Sequence, residues 1–145
     1  MKKRAIYLSA LLLVSITQLG AAQSDPLPIA NSTVVIEGRL KHKQVYGPPG
    51  FGETPHLDSK FTVYYVDLRR AMSPEQLRLP LTAKPSGAKT YSEVQLYCGN
   101  DFAGCDEFLR KHVNRNVLVS GSTAYALEPN DVYPVTMTVA AMDTK

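Results

Sequence analysis

The chain is 145 residues long and carries sixteen Lys and Arg against thirteen Asp and Glu. Three of the bases, Lys2, Lys3 and Arg4, fall in the first 22 residues, which hold no acid, so the remainder is electrically balanced. A balanced domain lacks the net basic charge that nucleic-acid binding draws on, which excludes that class of partner.

Residues 1–22 read as a secretory signal peptide: a basic start, the apolar run AIYLSALLLVSIT, then small residues at Gly20 and Ala22. The run is too short to span a bilayer comfortably. Cleavage is expected after Ala22, with no cysteine behind it to carry a lipid anchor and no later apolar run able to cross a membrane. The expected product is periplasmic or secreted. Residues 23–145 suit one domain, long enough to bury about two-thirds of its unfolded surface. In an exported chain, Cys98 and Cys105 predict a disulfide. Their spacing fits neither a zinc site nor a redox pair, and the short loop between them gains little chain entropy, so the bond is read as fixing a corner.

The first predicted strand is TVVIEGRLKH, with Val34, Ile36 and Leu40 on its inner face and Gly38 marking a bulge or bend. KFTVYYVDL follows, placing Phe61, Val63 and Tyr65 on one face and Thr62, Tyr64 and Val66 on the other. Both faces are apolar, as a central strand requires. An insert is expected over 69–92. It opens on Arg69 and Arg70, has one helical turn with Ser73 and Gln76 as a capping box, and ends in exposed loop. EVQLYC is a third strand with Val94, Leu96 and Cys98 inward. CDEFLRKHVN predicts the one helix, capped by Asp106 and ended by Asn114. Two more strands complete the chain, with Val117 and Val119 inward in the fourth and Gly121 bending it. Val135, Met137 and Val139 alternate inward in the fifth.

Three strands, a helix and two strands, with a bent first strand, is the order of an OB-fold-like, five-stranded Greek-key barrel with its helix between strands 3 and 4. A sandwich or an α+β roll is the competing arrangement. In such a barrel the loops between strands 1 and 2 and between strands 4 and 5 frame the ligand face. The first, VYGPPGFGETPHLD, offers Tyr46, Phe51, Glu53, His56 and Asp58; the second offers Tyr125, Glu128, Asp131 and Tyr133. Pro48, Pro49 and Pro55 restrict the first loop, so its aromatics can be presented at low entropic cost. The alternative is that Tyr46 and Phe51 fold back to cap the open barrel end.

GPPGFGE, VQL and VLVSGSTAYA with YPVTMTV together resemble a family of small secreted bacterial domains of unassigned function. That resemblance, over residues 33–140, implies the same fold and an exported bacterial setting, and no reaction. The family has a histidine cluster before the last strand where this chain has EPNDVYPV, so metal binding by that cluster does not carry over.

No catalytic constellation stands out. His42 reads as solvated and His112 as a half-buried packing residue. His56 and Asp58 have no third partner for a metal or a nucleophile. No cofactor or metal is expected. The expected function is that of a non-catalytic binding module, an inhibitor or immunity protein acting on a protein of the bacterial envelope. The alternative is a receptor for a small saccharide or peptide stacked on the aromatic loops. A weaker third possibility is an enzyme using His56 and Asp58. Arg69 and Arg70 are further candidate partner contacts.

Overall fold

The computed structural model describes residues 33–80, 90–100, 102–127 and 131–145. The expected signal peptide, the 81–89 stretch of the insert and Glu128 lie outside the described residues. Five strands and one helix follow in order: β1 (Val34–Tyr46), β2 (Lys60–Met72), β3 (Tyr91–Cys98), α1 (Cys105–Lys111), β4 (Asn116–Tyr125) and β5 (Val135–Thr144). The strands close into a barrel in the order β1-β2-β3-β5-β4, with β4 returning to β1. β3 and β5 run parallel and the other neighbours antiparallel. This is the OB-fold-like barrel that the order of elements predicts.

One residue makes closure possible. β1 pairs with β4 over Val34–Arg39 and with β2 over Gly38–Tyr46, so the strand changes partners at Gly38. A side chain there would overlap the carbonyl oxygen of Asp67, and only glycine permits the approach. Gly121 plays the matching part in β4, where the register with β5 slips and a Cβ would overlap the Thr138 carbonyl.

The inward sets are as predicted, with Val34, Ile36, Leu40, Val94, Leu96, Val117, Val119, Val135, Met137 and Val139 all buried and Cys98 half-buried against them. Burial of each such side chain contributes about 1.5–3 kcal/mol. One mouth of the barrel is plugged by the turn after β2. There Ser73 N–H donates to Gln76 Oε1 at 2.9 Å and Gln76 N–H to Ser73 Oγ at 3.3 Å, and Leu77 is fully buried. The capping box is realised on a turn rather than a helix. α1 closes the other mouth with Leu109, and the Cys98–Cys105 disulfide ties its first turn to the end of β3.

Three local expectations are corrected. β2 continues to Met72, so Arg69 and Arg70 belong to the strand and do not open a loop. α1 stops at Lys111, with Asn114 three residues beyond in the left-handed region (φ 66°), its N–H donating to Leu40 O at 2.7 Å. Its N-cap is Gly104 (φ 84°) and not Asp106, because the disulfide draws Cys105 into the first turn and leaves Asp106 inside the helix.

Candidate functional site

The β1–β2 loop is organised by an acid at its end. Asp58 is buried, and its carboxylate accepts hydrogen bonds from Gly50 N–H (2.7 Å), Gly52 N–H (2.7 Å), Thr54 N–H (3.3 Å) and Thr54 Oγ1 (3.1 Å). Burial works to raise its pKa, but those four donors outweigh it and hold the carboxyl below its ordinary value. The glycines are needed because their amides must turn inward to one point, and Gly52 does so at φ 102°. Asp58 is therefore committed to the loop and is not free to work with His56, which is exposed.

The same turn holds Phe51 in the left-handed region (φ 50°) with its side chain 53% exposed. That conformation costs a bulky residue roughly 1–3 kcal/mol, a strain that persists only where the surroundings impose it. Here Phe51 N–H donates to Gly47 O at 3.0 Å and the Asp58 bonds hold both flanks. Tyr46 is exposed too, with the Lys60 ammonium 5.1 Å from its ring centroid. Neither aromatic folds back to cap the barrel. Leu57 (64% exposed) and Glu53 complete the outward set of this loop.

The β4–β5 loop lies against the outer face of β2 and β3. The Tyr133 ring stacks on Tyr65 with centroids 4.5 Å apart. Buried Gln95 accepts from Val132 N–H at 2.8 Å and Tyr133 N–H at 3.4 Å, and donates to Tyr97 Oη at 2.7 Å. Tyr97 donates in turn to Asp131 at 2.6 Å, and the other Asp131 oxygen accepts from Leu127 N–H at 2.7 Å. Asp131 thus anchors its own loop. The result leaves Leu127, Val132 and Tyr97 exposed. Val63, buried but outside the main core cluster, lies beneath this outer face.

Three predicted site residues stand elsewhere. Tyr125 is the last residue of β4 and only 6% exposed, packed edge-on against Tyr91 beside the Leu77 plug, so it presents nothing at the surface. Alternation explains it: Tyr125 continues the inward series of β4 through Gly121 without a break in parity. Arg69 and Arg70 sit far along β2 from the β1–β2 loop, roughly 26–30 Å from Phe61 at ~3.3 Å per residue. His112 packs on Phe108 with centroids 4.1 Å apart and bonds its carbonyl at 2.8 Å, and His42 is exposed. Among the described residues no three His, Cys, Asp or Glu gather as a metal site would require.

Residue-by-residue reading missed Gln95, Tyr97 and Tyr65 as members of the site. The available signal was the apolar series Phe61, Val63, Tyr65 on the second face of β2, which needed a cover. Comparison of the chain with protein-family models, curated proteins and solved structures finds no match.

Proposed function

We propose that the chain is an exported, non-catalytic binding module whose two-loop face grips a protein of the bacterial envelope, as an inhibitor or immunity protein does. One observation carries this reading. Of the large apolar side chains exposed among the described residues, Tyr46, Phe51, Leu57, Leu127 and Val132 lie at or on the two loops, with Tyr97 on the sheet between. Both loops are held by their own hydrogen bonds, so such anchors lose little entropy on binding. Exposed apolar anchors spread over two pinned loops suit a macromolecular partner better than a small ligand.

The test is a pull-down from envelope extract with the folded, oxidised protein beside its Phe51→Ser/Leu57→Ser variant. A partner retained in near-equal amount by the first and lost by the second is the expected result. The second reading is a receptor for a small saccharide or peptide. It is favoured by a cleft of about 260 Å³ lined by Phe61, Tyr64, Tyr97 and Leu109. Ligand-dependent stabilisation in a thermal-shift screen is its signature.

A further inference from the structure

The far end of β2 carries a second surface. Beyond Leu68 no residue of β1 pairs with β2, because β1 has turned away to β4. On the other side the register with β3 slips between Asp67 and Met72. Arg69 and Arg70 therefore lie on an irregular stretch of strand beside the gap that β1 leaves. Two adjoining depressions, of about 380 and 360 Å³, occupy this gap and share Glu37 and Arg69 in their walls.

We propose that this groove binds an extended acidic peptide segment of a partner protein. Charge is the first reason. Arg39, Arg69 and Arg70 line it. Its two acids are already matched, Glu37 by Arg69 at 3.1 Å and Lys145 at 2.8 Å, and Asp67 by Lys41 at 2.5 Å. Arg39 and Arg70 are left without an ion pair among the described residues. The polar character of the walls is the second reason. A bare polyanion such as polyphosphate would be repelled by Glu37 and Asp67. A peptide offers those carboxylates its backbone N–H groups while its own acids reach the arginines. The Asn116 amide can meet a peptide group as donor and acceptor, and Leu68 and Met72 offer an apolar floor. Most of β2 separates the groove from the β1–β2 loop and its Phe51, while the β4–β5 loop reaches β2 at Tyr65, nearer the groove.

The probe is a short fluorescein-labelled peptide of alternating Glu and Leu, followed by anisotropy on the purified protein at about 20 mM salt. Saturable binding is expected, weakened about tenfold or more in Arg39→Glu/Arg70→Glu and unchanged in Phe51→Ser. In the unsubstituted protein, amide shifts on titration should cluster at Glu37, Arg39, Leu68 and Met72, a readout that does not depend on how any variant folds. No binding, equal binding of the Ser-Leu counterpart, indifference to the arginine reversal, tighter binding of polyphosphate, or shifts centred on Gly50–Leu57 would each overturn the proposal.

Discussion

The ring of Tyr133 lies over that of Tyr65, centroids 4.5 Å apart and planes tilted by 32°, and this contact ties the β4–β5 loop to the sheet. Burial, and after it the neighbouring Tyr65 phenol, push the Tyr133 hydroxyl well above its ordinary 10.0. The neutral form is thus favoured in the folded protein. The associated stability is complete below pH 10 and is lost as pH rises toward the folded value. Tyr133→Ala should cost about 1 kcal/mol or somewhat more from the stack and its burial, and should flatten the alkaline limb of a stability–pH curve followed by urea unfolding.

Asp58 should behave as the keystone of the β1–β2 loop. Asp58→Ala removes the acceptor for three amides and a hydroxyl. Hydrogen exchange at Gly50 and Gly52 should then rise by about an order of magnitude or more while core strand amides stay protected. Acid should do the same reversibly. With the folded pKa depressed, the stabilisation is present above the unfolded value near 3.8 and disappears as pH falls through the folded one. Exchange at these two amides that is insensitive to pH below that point, after correction for intrinsic rates, would refute the assignment.

Gln95 is 2% exposed and shared between sheet and loop. Gln95→Leu keeps the volume but strands the Val132 N–H and the Tyr97 hydroxyl contact. A loss of about 1–3 kcal/mol is expected on chemical denaturation. Gln95→Glu retains an acceptor and should be milder above the carboxyl pKa. A Leu variant as stable as the parent would show that water replaces the bond.

Replacing both cysteines by serine should lower stability by about 2 kcal/mol, the chain-entropy scale for a loop this short. The barrel should persist, because its closure depends on strand pairing and not on the disulfide. Retained near-native far-UV circular dichroism with a lowered melting temperature is the expected result.

The barrel was legible because alternation is a local signal: Val34, Ile36 and Leu40, or Val135, Met137 and Val139, announce their inner face without reference to any neighbour. Gly38 and Gly121 were legible as bends for the same reason. Other features depend on partners far away in sequence. Nothing within EVQLYC says that Gln95 will be roofed by Val132 and Tyr133. Nothing near Arg69 says that β1 departs at Gly38 and leaves the arginines beside a groove. Tyr125 was misplaced because a tyrosine before a turn reads as exposed, although the unbroken alternation Val117, Val119, Gly121, Thr123 carries it inward. Asp58 could have been found: an acid closing a glycine-rich loop is a ready acceptor for several amides.

The change of partner at Gly38 also sets an order of events in time. The β1–β2 hairpin can form as soon as residue 72 is available, but Val34 must wait for Gly121 to arrive before its own half of the strand is satisfied. Until then the first residues of β1 are an open edge, competent to pair with a second chain. A chain emerging start-first through a narrow exit carries that edge ahead of the segment that will cover it. Late-strand truncations should therefore show themselves as chain-to-chain association rather than as partly folded monomers.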